Sequence, residues 1–356
     1  MKMAKQGMML ALTVCMGISL VGCGVADNNA KPAETALVKS VSASAEQQDV
    51  EKKLSGTLTV YSAGPEGLAN KIKEGFEAQT GVKVEMFQGT TGKILARMEA
   101  EKSNPTVDVV VLASLPAMQG LNQDDMLLGY PEATNADKLI ADWSDKDGHY
   151  FSYSASALGI VYNTKLVQAP PASWADLGQP EWKGKVNIPD PSLSGSALDF
   201  ISGYLSDAGE NGWTLFDSYK QNGVAMSGAN QEALDPVITG AKSVVAAGVD
   251  YMAYKAKAAG EPIDIVYPEE GSVISPRPAA IMKTSTNTDN AKAFIDYLIS
   301  DEAQKMVANA YLLPGRSDVE AKDRTNASEI ATFNVNWQWM NDNSDSVTTR
   351  FTQLFK

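Results

Sequence analysis

The strongest constraint on the fold is a strand–turn–helix pattern that repeats at the start of the folded region. Leu58–Tyr61 predicts a strand, Gly67–Gln79 an amphipathic helix and Val82–Phe87 a second strand. Gly92–Lys102 predicts the next helix, and Val107–Ala113 is an almost continuous apolar run, typical of a buried parallel strand. Strands that alternate with helices in this way predict an α/β fold with a parallel sheet.

The turns between these strands and helices are made of small and hydroxyl-bearing residues. The first N–H groups of a helix lack intrahelical acceptors and lie at the positive end of its dipole, so such turns favour an anion. Ligands of parallel sheets bind beyond the carboxyl ends of the strands. The alternative is that these serines and threonines only cap helices. We expect one wall of an anion-binding cleft at Ser62, Ala63, Gly64, Thr90, Thr91, Gly92 and Ser114.

A similar pattern restarts further along the chain. Val186–Ile188 predicts a strand, followed by a turn rich in serine and glycine and a helix that begins at Ala197. We therefore predict a first lobe over 56–162 and 276–317 and a second lobe over 163–275. The second lobe is expected to contribute the cleft residues Ser194, Gly195, Ser196, Asn230 and Asp250.

Two charged residues of this region have specific expected roles. Asp250 follows a predicted strand, where its carboxylate could receive sugar hydroxyls or an amine. Arg277 lies on a strand, Ser272–Met282, that is predicted to return to the first lobe. It could reach an anion in the cleft or form a purely structural ion pair.

The first residues predict export and a lipid anchor. Residues 1–22 have a basic start and a short apolar run, as in a signal peptide, and the run ends at Cys23 in a pattern that looks like a bacterial lipobox. The alternative is an ordinary secretory signal with an incidental cysteine. Cleavage before Cys23 would leave one cysteine, so no internal disulfide could form. We expect an extracytoplasmic, lipid-anchored monomer with a flexible tether over 23–55 and a C-terminal helical tail over 318–356 that packs on the lobes.

Composition and motifs argue against several other functions. The formal net charge of −13 lacks the basic footprint of a nucleic-acid-binding protein. The chain has one histidine, His149 in a polar loop, which gives little support to zinc or Ser-His-Asp catalysis. Gly89–Lys93 does not have P-loop spacing, and Gly64–Gly67 lacks the dinucleotide fingerprint. We therefore expect that the protein is not an enzyme and that it binds neither a metal ion nor a cofactor. The alternative is a secreted phosphate-ester hydrolase.

Several stretches together resemble the bacterial extracellular solute-binding proteins of ABC importers, in the group named for ferric-iron binders. Besides the lipobox they are Val60–Gly64, Phe76–Val84, Ala96–Lys102, Trp182–Val186, Ala293–Gln304 and Leu313–Arg316. The resemblance implies a type II periplasmic-binding-protein fold: two α/β lobes with mixed sheets and flanking helices, joined by a hinge of crossing strands. It also implies closure on a ligand and delivery to a membrane permease with its ATPase.

The same resemblance bears on the ligand. Gln88–Arg97, Val111–Ser114 and Ile188–Ser196 look like the branch that binds hexose phosphates or aminoalkylphosphonates. Iron binders that resemble this chain use a histidine or acid near the first turn and adjacent tyrosines in the second lobe. Here the first turn, Ser62–Pro65, has no histidine, and the second-lobe tyrosines Tyr251 and Tyr254 are not adjacent, which disfavours a ferric-iron site rich in phenolates. Ferric-iron binding by Tyr251, Tyr254 and Asp250 stays an alternative.

Overall fold

The computed structural model describes residues 54–356, so the predictions for the signal peptide, Cys23 and most of the tether lie outside the described residues. The strands of the described part are β1 (Thr57–Ser62), β2 (Lys83–Gln88), β3 (Val109–Val111), β4 (Leu127–Leu128), β5 (Phe151–Asn163), β6 (Val186–Ile188), β7 (Ala225–Met226), β8 (Val244–Val249), β9 (Ile263–Val266), β10 (Ile274–Met282) and β11 (Leu313–Pro314).

The α-helices of the described part flank these strands. They are α1 (Glu66–Thr80), α2 (Thr91–Ala100), α3 (Leu115–Gln123), α4 (Gly195–Ala208), α5 (Trp213–Gln221), α6 (Asn230–Ile238), α7 (Asp250–Ala258), α8 (Thr288–Leu298), α9 (Asp301–Asn309), α10 (Trp337–Asp342) and α11 (Ser344–Phe355). None of the helices in residues 54–356 has the length and apolar character needed to cross a bilayer.

The strands form a mixed sheet in the order β2-β1-β3-β10-β5-β8-β6-β7. β1 pairs parallel with β2 and β3, and β6 pairs parallel with β7 and β8. The central pairs, β3 with β10, β10 with β5 and β5 with β8, are antiparallel. The α/β class with a mixed sheet and flanking helices, expected from the sequence, is therefore confirmed.

Strand β5 connects the two halves of this sheet. Its first part, Phe151–Ala157, pairs with β10, and its second part, Leu158–Asn163, pairs with β8 and β9. Every residue of β5 except Tyr162 is buried, and alternating serines and alanines keep the strand narrow enough to be covered on both faces. We call the β1–β3 side the first sheet half and the β6–β8 side the second sheet half. The chain crosses between them in β5 and in β10, and it returns to the second sheet half after β11.

Each sheet half has its own apolar core. In the first, Phe76 of α1 packs edge-to-face on Phe294 of α8, with ring centroids 5.1 Å apart. In the second, Trp174 and Phe200 pack with centroids 4.4 Å apart. The C-terminal helix α11 adds Phe351 to this second core. The four-residue spacing of apolar positions in α1, read from the sequence, is the spacing that places Phe76 in the core.

Replacing Phe76 with alanine should destabilise the protein by about 3–5 kcal/mol, because a fully buried ring leaves a cavity that the neighbours fill only in part. The measurement is the free energy of unfolding from urea denaturation. Leu166→Ala is the control, since Leu166 is 52% exposed and its truncation should change stability little. Equal effects of the two substitutions would contradict this description of the core.

Candidate functional site

A cavity of about 420 Å³ lies where the first turns of five helices meet. Its lining residues are Ala63, Gly64, Pro65, Glu66, Gln88, Gly89, Thr90, Thr91, Lys93, Ala113, Leu193, Ser194, Gly195, Ser196, Ala229, Asn230, Gln231, Glu232, Tyr251, Met252 and Arg277. They come from α1 and α2 of the first sheet half, from α4, α6 and α7 of the second, and from β10 between them. The size is in the range of small-molecule sites, about 300–1,000 Å³.

The backbone around the cavity presents positive potential from several directions. The helices α1, α2, α4, α6 and α7 all place first-turn residues in the lining. Their first N–H groups have no intrahelical acceptor, and their dipoles are positive at this end. α1 and α6 also lack a side-chain cap, since Pro65 and Ala229 precede them. The cavity is thus built to receive hydrogen-bond acceptors that carry negative charge.

Arg277 forms the buried end of the cavity. The residue is 4% exposed, and its closest hydrogen-bond partners are the hydroxyls of Ser154 and Ser156 on β5, at 3.4–3.5 Å. Bonds of this length are weak. Its Nε is buried without a partner, and among the described residues no carboxylate lies within ion-pair distance of the guanidinium. A buried cation without a paired anion is costly, so this position is poised to receive one.

The hydroxyls of the second sheet half form a connected network beside it. Ser194 caps α4 by accepting from the N–H of Ala197 at 3.2 Å, and its hydroxyl donates to the Asn230 side chain at 2.9 Å. The Asn230 amide in turn donates to the Ser196 hydroxyl at 3.1 Å. The bonds fix the three polar side chains in one orientation at the cavity wall.

The threonines of the first sheet half act partly as caps. Thr90 caps α2, its hydroxyl accepting from the N–H of Lys93 at 3.4 Å. The Thr91 hydroxyl accepts from the N–H of Ala113 at 3.1 Å, which joins the start of α2 to the end of β3. Both threonines also belong to the cavity lining, so the capping and ligand-binding interpretations of these residues are compatible.

Glycines allow the two sheet halves to approach closely beside the cavity. A Cβ atom at Gly92 would lie 2.8 Å from the carbonyl oxygen of Ser192. One at Gly195 would lie 2.8 Å from the carbonyl oxygen of Ala113 and 2.8 Å from the Thr91 hydroxyl. We call this contact between the starts of α2 and α4 the glycine seam. Any larger side chain at either glycine would push the two helix starts apart.

Of the residues predicted for the cleft, nine lie in the cavity lining: Ala63, Gly64, Thr90, Thr91, Ser194, Gly195, Ser196, Asn230 and Arg277. Ser62, Gly92, Ser114 and Asp250 lie outside it. The Ser62 hydroxyl accepts from the N–H of Gly64 at 3.1 Å and so shapes the first turn. Gly92 belongs to the glycine seam. Residues that the sequence analysis did not assign to an anion site, among them Lys93, Glu66 and Glu232, also line the cavity.

Asp250 is engaged in a buried ion pair instead of facing the cavity. Its carboxylate receives the Arg324 guanidinium at 2.5 Å, and both side chains are fully buried. It also accepts from the N–H of Ala157 on β5 at 2.8 Å and from the Tyr267 hydroxyl at 3.3 Å. The expectation that this carboxylate is free to bind a ligand hydroxyl or amine therefore has no support from the geometry. The sequence could not indicate the pair because Arg324 is 74 residues away.

Asp199 is a buried acid that the sequence analysis missed. It lies on α4 and is 1% exposed, and its carboxylate accepts from the Ser114 hydroxyl at 2.6 Å and from the Ser275 hydroxyl at 2.5 Å. It therefore joins α4 of the second sheet half to the start of α3 in the first and to β10. Burial raises the pKa of Asp199 to about 7, although the two serine hydroxyls and nearby Arg277 oppose that shift. The sequence feature that could have indicated a buried acid is the position of Asp199 inside the apolar segment 197–201.

Of the remaining titratable candidates, Tyr251 lines the cavity, whereas His149 and Tyr254 lie outside the lining. His149 contacts Asp145 at 2.7 Å in a loop. In residues 54–356 there is no cluster of three or more histidine, cysteine or acidic side chains that could hold a metal ion. Tyr251 lines the cavity with its ring 5.9 Å from the Arg277 guanidinium, whereas the Tyr254 hydroxyl contacts Thr325 at 3.1 Å.

The fold matches that of type II periplasmic binding proteins. A periplasmic binding protein from Actinobacillus pleuropneumoniae, AfuA, solved with exogenous fructose-6-phosphate, superposes with a TM-score of 0.77 at 22% identity, covering 84% of this chain and 98% of that one. Iron-bound HitA from Pseudomonas aeruginosa superposes with a TM-score of 0.74 at 20% identity, covering 83% and 99%. At these identities the likeness establishes the fold alone.

The sequence comparison identifies the family. The family described as bacterial extracellular solute-binding protein matches residues 104–343. The chain belongs to this family and is a solute-binding component of ABC transporters. The members of the family are transport components and not enzymes. A putative 2-aminoethylphosphonate-binding periplasmic protein of Salmonella typhimurium is 26% identical over 281 residues, covering 75% of this chain and 81% of that relative.

Replacing Gly195 with alanine should open the glycine seam, because the new methyl group would overlap the carbonyl oxygen of Ala113. Overpacking of this kind costs about 1–3 kcal/mol. Small-angle X-ray scattering should show a larger radius of gyration, as the starts of α2 and α4 separate. Gly67→Ala is the matched control, since nothing lies within 4 Å of its added methyl group. An unchanged scattering curve for Gly195→Ala would contradict the seam.

Replacing Asp250 with asparagine should destabilise the fold by about 3–5 kcal/mol, since it leaves the Arg324 charge buried and unpaired. The free energy of unfolding in urea measures this. As a control, Lys83→Gln removes an exposed ion pair with Glu85 and should cost about 0–1 kcal/mol. If Asp250→Asn lost solute binding without losing stability, the ion-pair interpretation would be contradicted and Asp250 would be assigned to the binding site.

Proposed function

We propose that this protein captures a small anionic phosphorylated solute, a hexose phosphate or an aminoalkylphosphonate, for an ABC importer. The observation that carries the proposal is Arg277, a buried guanidinium in the cavity lining with weak hydroxyl partners and with no carboxylate partner among residues 54–356. A phosphoryl or phosphonyl group supplies the missing negative charge and several acceptor oxygens. Guanidinium groups bind such oxygens in charge-assisted pairs.

The surroundings of Arg277 support the same ligand chemistry. Five helix starts direct positive potential into the cavity, and first-turn N–H groups suit tetrahedral oxyanions. Lys93 adds a second cation at the rim. The carboxylates of Glu66 and Glu232, also in the lining, are placed to accept from sugar hydroxyls or from an ammonium group. Hexose phosphates and aminoalkylphosphonates share the anionic end. They differ in the group that would contact the two glutamates, which is a sugar hydroxyl in the first class and an ammonium group in the second.

The transport role is proposed in the following form. Lobe 1 comprises residues 56–162 and 276–317, and lobe 2 comprises 163–275, with the tail 318–356 packed on them. Closure of the lobes around the solute brings together the walls that carry Thr91 and Gly195 and creates the surface that the permease recognises. The protein acts as a monomer held to the outer face of the membrane by a lipid on Cys23.

Ferric-iron binding is the competing function within this fold. It would use Tyr251, Tyr254 and Asp250, of which only Tyr251 lines the cavity. The Asp250 carboxylate is held by Arg324, and the Tyr254 hydroxyl lies against Thr325. The buried Arg277 guanidinium and the helix starts in the lining also oppose a trivalent cation, which supports the anionic solute. A phosphate-ester hydrolase is the competing function outside the family.

The ligand class can be tested with the purified mature protein. Native mass spectrometry should detect a co-purified phosphorylated or phosphonate compound. Fructose 6-phosphate and 2-aminoethylphosphonate are then titrated by calorimetry, with ferric citrate as the third probe. A solute present at a hundred times its Kd should stabilise the protein by about 2.7 kcal/mol. The proposal would be contradicted if neither phosphorus compound bound and if ferric citrate gave a phenolate–iron absorption band that was lost in Tyr251→Phe. Turnover of a phosphate ester after chelation would favour the hydrolase.

Replacing Arg277 with methionine should weaken binding of the phosphorylated solute by about 2–5 kcal/mol, or roughly 30-fold to several thousand-fold in Kd. The melting temperature of the ligand-free protein should not fall, since the substitution removes a buried charge that has no ion-pair partner in the described part of the chain and an Nε atom that has no hydrogen-bond partner there. Calorimetry and thermal unfolding measure the two effects. Arg350→Gln, at an exposed ion pair with Glu210, is the control and should leave Kd unchanged.

A further inference from the structure

The buried acid Asp199 interacts electrostatically with Arg277. Ser275, whose hydroxyl donates to the Asp199 carboxylate at 2.5 Å, is two residues before Arg277 on β10. Residues two apart on a strand point to the same face, so the carboxylate and the guanidinium lie on one side of β10. Arg277 acts electrostatically on Asp199 and lowers its pKa, against the larger effect of burial.

The contact between the two groups is indirect. Asp199 is not within ion-pair distance of Arg277, and its two oxygens are taken by the hydroxyls of Ser114 and Ser275. The guanidinium thus interacts electrostatically with the carboxylate but donates no hydrogen bond to it, so its N–H groups can still donate to a ligand. A ligand anion at Arg277 and an ionised Asp199 would compete for the same positive charge.

We propose that Asp199 sets the charge of the anion site, so that binding of an anion at Arg277 is coupled to protonation of Asp199. This inference rests on the proposed function of the Arg277 cavity. Asp199 acts through Arg277 and does not touch the ligand, which makes it a positioning residue. It determines how much of the guanidinium charge is available to the solute.

The direction of the coupling follows from linkage. A bound anion offsets the positive charge that holds Asp199 ionised, so the pKa of Asp199 rises and a proton is taken up. Reciprocally, protonated Asp199 leaves the Arg277 charge to the ligand, so affinity rises as pH falls. The pKa of Asp199 near 7 puts this change in the neutral range. Binding is tighter below that pKa and weaker above it.

The other charged groups that face Asp199 do not produce this effect. Asp124, which follows α3, and Asp345 of α11 line the same cavity as Asp199, and Arg277 does not line that cavity. Both are exposed, so water screens their charges. Among the causes that shift the pKa of Asp199 most, Arg277 is the charged side chain.

Sulfate is the probe for this coupling, because it is tetrahedral and keeps its charge throughout the neutral range. Its Kd is measured by calorimetry from pH 5.5 to 8.5 with wild type, Asp199→Asn and Asp124→Asn. Wild type and Asp124→Asn should bind sulfate about 5-fold or more tightly at the acid end than at the alkaline end. Asp199→Asn should bind tightly at every pH. The same pH dependence in Asp199→Asn as in wild type would overturn the proposal.

A second measurement needs no ligand. The carboxyl carbon of Asp199 is titrated by ¹³C NMR in wild type and in Arg277→Met. Loss of the guanidinium should raise the pKa of Asp199, and an unchanged pKa would overturn the inference. If the pKa rises in Arg277→Met but neither sulfate nor any phosphorus compound binds the wild type, the charge coupling stands and the proposed anion function fails.

Discussion

The structure depends on a positive charge buried where the two halves of the sheet join. Arg277 lies on β10, opposite Ser154 of β5, and these two strands carry the chain between the halves. Hydroxyls satisfy the guanidinium only weakly, and the helix starts around it add potential of the same sign. The ligand-free protein therefore carries an electrostatic cost at its centre, and the proposed anionic ligand would remove that cost. Such local conflicts are expected at functional sites and are offset by packing elsewhere.

That packing is the part of the structure that local sequence patterns predict well. The strand expected over Val82–Phe87 is β2 (Lys83–Gln88), and the helix expected over Gly67–Gln79 is α1 (Glu66–Thr80). Both follow from the period of apolar residues and from the turn residues around them, which are properties of short segments. The helix starts could be placed in the same way, and with them nine of the cavity residues, because parallel strands end at a common edge.

The residues that the sequence could not assign depend on distant partners. Asp250 follows a strand as a ligand-binding acid would, but its environment is decided by Arg324, 74 residues later. Asp199 is joined to Ser114 and Ser275, 85 and 76 residues away, and no spacing rule links them. In each case the residue type is visible in the sequence. Whether the carboxylate faces a cavity, an arginine or two serines is set by the tertiary fold.

The glycine seam connects affinity for the anion with the relative position of the sheet halves. Thr91 and Gly195 line the cavity, and they also contact each other across the seam. A movement that separates the starts of α2 and α4 therefore also separates the first-turn N–H groups that would hold the anion. Asp199 lies next to this seam and bonds to both sides, through Ser114 and from its own helix α4. If the proposed function holds, protonation of Asp199 acts on the same contacts that a bound anion would tighten, and the charge of the site and its closure would be parts of one equilibrium.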